Sequence, residues 1–126
     1  MVRTSRKTKQ KELMIALIVG MDSFFSADEF FKRVNKKDKY IGIATIYRFL
    51  KYMNRSGKVH SYFCGKKIIY SKNKVAHCHF ICEKCHQIQH IQVQDLEFLK
   101  NKHIGKMCHF QLDVYGVCKS CSIIDN

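Results

Sequence analysis

"AHCHFICEKCH", residues 76–86, sets six metal-capable side chains in eleven positions: His77, Cys78, His79, Cys82, Cys85 and His86. Two spellings overlap in it. Its last five letters, CEKCH, spell a covalent c-type haem attachment site, whereas Cys82-x2-Cys85 alone is half of a zinc site. A second pair, Cys118-x2-Cys121, decides between them. One CxxC turn presents two thiolates about a tetrahedral centre, and two such turns complete a four-cysteine zinc site. The haem reading leaves the second pair unexplained and requires export. The 32 residues between the pairs exceed the spacing of a simple zinc ribbon but accommodate a strand, a helix and a strand. The remaining alternative is a redox dithiol. Such a CxxC normally opens a helix inside a βαβ pattern, which the order of elements here does not predict.

The compartment bears on the cysteines. The basic start followed by "LMIALIVGM" superficially resembles a signal peptide, but Glu12 interrupts the approach and no small-residue cleavage site follows. The apolar run ends at Asp22, too short to span a bilayer. The expectation is a cytoplasmic protein with no membrane association, in which thiols stay reduced and paired CxxC motifs read as metal ligands. The odd count of seven cysteines also argues against a fully paired disulfide framework.

Outward from the motif, the strand "HFIC" leads into the first CxxC, and "QIQHIQV" and "HFQLDVYGVC" read as two more strands. "DLEFLKNKHIGK" between them reads as a helix, with Asp95 near its start and Lys106 near its end to complement the macrodipole. Upstream, "VHSYFC" and "KKIIYS" joined at Gly65 predict a β-hairpin. Before it, "IGIATIYRFLKYMNRSGK" predicts a helix. Ile46, Phe49, Leu50 and Met53 recur at i, i+3, i+4, i+7 and face inward. Arg48, Lys51, Tyr52 and Arg55 fall on the other side, with Tyr47 at the edge, and Gly57 ends the helix. "SADEFFKRV" predicts another helix, capped by Ser26 with Glu29 at capping-box spacing, and "NKKDK" a loop after it. "ELMIALIVGM" places Met14, Leu17, Ile18 and Met21 on one helical face, and "RTSRKTKQK" before it reads as a basic polar arm. Three helices followed by a basic hairpin form a winged helix-turn-helix pattern, with the third helix in the DNA major groove.

Charge divides the chain at the same place. Residues 1–75 hold 18 of the 23 Lys and Arg and 5 of the 10 Asp and Glu, so they carry the whole net charge of +13; residues 76–126 are neutral. The asymmetry points to a first part that meets a polyanion and a second with another task, the alternative being a solubilising basic surface. The fold class expected is α+β: a winged helix-turn-helix DNA-binding domain over 1–73, then a small α/β domain over 77–126 with the four-cysteine zinc site.

"SADEFFKRV", "GIATIYRFL", "HFICEKC" and "HFQLDVYGVCKSC", in this order and at these intervals, resemble the ferric uptake regulator superfamily of bacterial metal-sensing repressors. The likeness runs from about Thr8 to Cys121. "TKQK" at 8–11 stands where the family usually has Thr-Pro-Gln-Arg. The resemblance implies a homodimer joined through its second domains, reading a palindromic double-stranded DNA operator when a divalent metal ion binds at the interdomain hinge. By position, Thr45, Tyr47 and Arg48 match the recognition-helix contacts, and Arg6 matches a basic residue reaching the minor groove. For Arg48, a bidentate guanine contact and a phosphate contact both stand open.

The sensory ligands expected from the same likeness are His60, His77, His79 and His90. Phe24, Ser71 and His90 occupy positions where the family usually has a histidine, a carboxylate and an acidic residue. His77 and His79 also share a side of an extended strand, which suits a common metal. A second family site implies Cys78, Glu97 and His109, although Ala76 replaces one of its histidines. Imidazole-rich ligands suit zinc better than iron or manganese, so the regulatory metal expected is zinc and the branch that of zinc uptake. The alternatives are an iron or peroxide sensor of the same superfamily, or a constitutive DNA-binding protein with structural zinc only. A zinc hydrolase needs a general base beside an open coordination position, and no acid is placed for it, so no enzyme is expected.

Overall fold

A computed structural model describes residues 5–93, 97 and 104–124. The chain divides into two compact units, Met1–Asn73 and Lys74–Asn126.

The first unit contains α1 (Arg6–Val19), β1 (Phe25–Ser26), α2 (Ala27–Lys37), α3 (Ile43–Arg55), β2 (His60–Cys64) and β3 (Lys67–Ser71). The strands form an antiparallel sheet in the order β1-β3-β2. Helical periodicity puts Met14 and Ile18 of α1, Phe30 and Val34 of α2, and Ile46, Phe49, Leu50 and Met53 of α3 into one core with Phe25, Ile41 and Val59. Phe30, fully buried, lies against Phe25 and Phe49 with ring centroids 5.7 and 6.0 Å away. Truncating such a ring costs about 3–5 kcal/mol, a large fraction of a small domain's stability.

Local signals in the sequence account for most of these elements. The Ser26 hydroxyl accepts the Glu29 amide at 3.2 Å, as the capping-box spacing predicts. Gly57 follows α3 with φ +74°, a conformation that a side chain would strain. Gly65 turns the hairpin between β2 and β3.

Three local expectations need correction. Residues 6–11, expected as an arm, are the first turns of α1. The Ser5 hydroxyl accepts the Thr8 amide at 3.1 Å, a cap that serves without the family's proline. Asn35–Lys37, expected in a loop, complete α2. The Asp38 amide still bonds the Val34 carbonyl, and Lys36 and Lys37 face the negative end of the helix dipole. The strand β1 was not foreseen: two residues pair with Ile69 and Tyr70 of β3.

The second unit contains β4 (His77–Cys82), β5 (Ile88–Ile91), β6 (Gln111–Gly116) and α4 (Lys119–Ile124). The sheet order is β5-β4-β6, with β4 antiparallel to β5 and parallel to β6. A parallel neighbour requires a crossover. The helix expected over 95–106 falls within that connection and lies largely outside the described residues. The helix α4, opened by the second CxxC, was not expected. The segment joining β4 to β5 places His86 at φ +63°, and its amide bonds the Cys82 carbonyl at 2.9 Å.

Candidate metal centres and nucleic-acid interface

Cys82 ends β4, Cys85 lies in the turn after it, Cys118 follows β6 and Cys121 lies in α4. Their sulfurs all lie within 4.8 Å of one another. Cys85 Sγ and Cys118 Sγ are 3.8 Å apart. Four thiolates about 2.3 Å from a tetrahedral zinc stand about 3.8 Å apart, so the spacing fits the ion. The backbone prepares the site. The amides of Cys85 and Cys118 donate to Cys82 Sγ at 3.4 and 3.3 Å, and they pull its thiol down to about 6. Cys121, beside the sulfur of Cys118 and away from such amides, is pushed up to about 12. Without a cation the cluster holds protons between crowded sulfurs; a dication relieves that crowding of negative charge.

A second cluster lies one turn of pleat earlier on β4. His77 and His79, both buried, cross edge-to-face with ring centroids 4.3 Å apart. His90 of β5 lies 5.3 Å from His77 and 4.9 Å from His79, and one ring nitrogen of each falls within 4.8 Å of the others. Register explains the convergence: His79 is directly opposite His90, and His77 is two residues away on the same face. Burial holds the His77 imidazole below its ordinary value of 6.5, and the neighbouring His79 and His90 act in the same direction. A neutral imidazole is the form that ligates metal.

On its other side His79 is opposite Asp113 of β6, and His79 Nδ1 lies 2.9 Å from Asp113 Oδ1. Sequence reasoning missed Asp113. Only the β4–β6 register, a pairing between distant residues, brings it to the histidines.

The other expected ligands fall as follows. His60 is buried on β2 of the first unit, opposite Ser71. Cys78 points to the opposite face of β4 from the histidines, and burial raises its thiol above the ordinary value. His109 precedes β6, with Nδ1 3.1 Å from Cys108 Sγ. Cys78, Glu97 and His109 do not form one ligand cluster among the described residues.

In the first unit, Tyr47 and Arg48 stand exposed on α3, and Arg48 donates to the Thr45 hydroxyl at 3.2 Å. Thr45 and Arg48 line a cleft of about 530 Å³ with Lys7, Gln10, Lys11 and Tyr52, so α1 and α3 together present cationic walls. Lys11 Nζ lies 4.1 Å from the Tyr52 ring centroid and depresses the phenol's pKa. Arg6, at the start of α1, lies over the Tyr40 ring at 5.4 Å. These are groups suited to phosphate and base edges.

A model of the ferric uptake regulator family matches residues 3–115. The chain is 30% identical over 122 residues to the peroxide-responsive repressor PerR of Staphylococcus epidermidis, covering 92% of this chain and 81% of that protein. It is 28% identical over 124 residues to the ferric uptake regulation protein of Campylobacter upsaliensis, covering 91% and 79%. Its fold is similar to that of the Helicobacter pylori ferric uptake regulator, a structure described as revealing three functional metal binding sites. That match has a TM-score of 0.62 at 22% identity and covers 92% of this chain and 84% of the other.

Proposed function

Because the chain belongs to the ferric uptake regulator family, we propose that it is a DNA-binding transcriptional repressor that responds to zinc and controls genes of metal uptake. Members of this family are metal-sensing transcription regulators, not enzymes. The observation that carries the zinc reading is the convergence of His77, His79 and His90 on one face of the second sheet. Three neutral nitrogen donors with no carboxylate among them suit zinc better than iron or manganese.

In this reading Cys82, Cys85, Cys118 and Cys121 hold a permanent zinc. The imidazoles of His77, His79 and His90 hold a reversible one. The family likeness implies His60 as a further donor to it. Bound metal then favours the conformation that binds DNA, and DNA raises metal affinity by the same factor. The first unit acts as a winged helix: α3 brings Thr45, Tyr47 and Arg48 to the major groove, and Arg6 reaches the minor groove. A cytoplasmic homodimer matches a palindromic operator. Exposed Ile88, Tyr115 and Ile123 on the second unit support such pairing.

The test uses a duplex selected from a random pool by the zinc-loaded protein. Removing the reversible zinc with a mild chelator is expected to weaken binding at least tenfold, and His77→Ala or His79→Ala to do the same with zinc present. Equal affinity with and without reversible zinc would leave a constitutive DNA-binding protein with structural zinc alone. Cobalt(II) in the reversible site reads the fourth donor, since a thiolate gives a charge-transfer band and the nitrogen of His60 does not.

The likeness to the staphylococcal peroxide-responsive repressor favours one other reading, a peroxide sensor that uses iron. Iron(II) would then support DNA binding as well as zinc does, and a brief peroxide pulse would abolish it. The zinc reading expects neither.

A further inference from the structure

We propose that Asp113 is the positioning residue of the histidine site: it fixes the tautomer of His79 and thereby presents Nε2 of that ring for metal. The proposal rests on the reading of His77, His79 and His90 as ligands. It adds a residue outside that set.

The argument begins with register. His79 lies on the central strand, paired with His90 on one side and with Asp113 on the other. Directly opposed residues share a face, so His90, His79 and Asp113 form one row across three strands. Within that row His79 Nδ1 and Asp113 Oδ1 are 2.9 Å apart, a hydrogen-bond distance. A carboxylate oxygen only accepts, so the proton of a neutral His79 resides on Nδ1. The lone pair is then on Nε2. A ligating imidazole needs this arrangement, and a carboxylate on its second nitrogen both sets the ring and raises its basicity.

Asp113 is a partner of a ligand and not a ligand itself. Its carboxylate does not join the convergent group of imidazole nitrogens. Its side chain keeps 38% of its exposure while that of His79 keeps 3%, so the charge sits at the rim and the ring in the interior. A rim carboxylate also offsets part of the charge that a dication brings to three neutral rings.

The wild-type protein, carrying its cysteine-bound zinc but no second metal, is labelled at its histidine nitrogens. Two-bond nitrogen–proton correlation spectra then report the tautomer of His79. The expected state is Nδ1–H; a ring carrying its proton on Nε2 would overturn the proposal. Asp113→Asn and Asp113→Ala are then titrated with zinc against a chromophoric chelator. The expected result is a 10–100-fold loss of affinity at the second site, with a mixed His79 tautomer and the cysteine-bound zinc retained at one per chain. Asp113→Glu is expected to recover part of the affinity. If both variants bind the second zinc within twofold of wild type, the positioning role is wrong while the sensor reading stands. A wild type that takes up only one zinc per chain would sink the sensor reading, and this proposal with it.

Discussion

His86 completes the haem spelling in the sequence, and the structure gives it a different character. It takes φ +63°, the only non-glycine residue with positive φ among those described. The turn between Cys85 and β5 demands this left-handed conformation, which costs an ordinary side chain about 1 kcal/mol or more. His86→Gly is therefore expected to raise the stability of the zinc-loaded protein by roughly 0.5 kcal/mol, the relief of strain being partly offset by the freer unfolded chain. The urea midpoint measures it, and a lowered midpoint would show that the imidazole holds the turn. His77 makes a prediction of its own. Its folded pKa lies below the ordinary 6.5, so protonation favours the unfolded chain. Stability of the form lacking the second metal is expected to be level above that value and to fall as pH drops below it. Urea midpoints taken across that range check the slope, and His77→Asn is expected to flatten it.

At the scale of elements, local chemistry made α2 and α3 legible. A capping box opens α2, an apolar stripe runs down α3 and a glycine follows it. Ser26→Ala removes the hydroxyl that accepts the Glu29 amide, and about 1 kcal/mol of stability is expected to go with it. A thermal melt checks this, and Ser26→Asp is expected to restore it. Elements that depend on distant partners were not legible. Two residues become β1 only because β3 lies beside them, and the start of α1 shifted because Ser5 supplies a cap that the basic composition masked. The candidate site divides in the same way. The CxxC pairs and His77/His79 are short-range spellings, whereas Asp113 enters only through the β4–β6 register. That register has a weak point in its packing. A Cβ on Gly116 would come within 3.2 Å of the Phe80 ring. The Gly116 carbonyl also accepts the Glu83 amide at 2.7 Å, just past Cys82. Gly116→Ala is thus expected to push Phe80 aside and loosen both CxxC turns, read as faster loss of the cysteine-bound zinc to a chelator. An unchanged rate would show that the Phe80 ring yields freely.

Across the whole molecule, the two units are stabilised by different means. The first has a continuous apolar core drawn from three helices and the strands. In the second, the buried residues among those described are His77, Cys78, His79, Cys82 and Cys118, all of them metal-capable. A unit whose interior is sulfur and imidazole depends on metal for its folding free energy. Cys118→Ser removes one thiolate of the four while keeping the backbone amide that donates to Cys82 Sγ. The expected outcome is loss of the permanent zinc and unfolding of the second unit, with α1–α3 still giving a cooperative helical melt. Because β4 carries ligands of both clusters and β6 pairs along it, with His79 opposite Asp113 and Cys82 opposite Gly116, the same variant is expected to lose its second zinc as well. Zinc counts per chain would fall from two to zero, not to one. Hydrogen exchange would then show the amides of β4 and β6 unprotected while those of α2 and α3 stay slow. A variant that kept one zinc on the histidines would show that the sheet stands without its cysteine clamp.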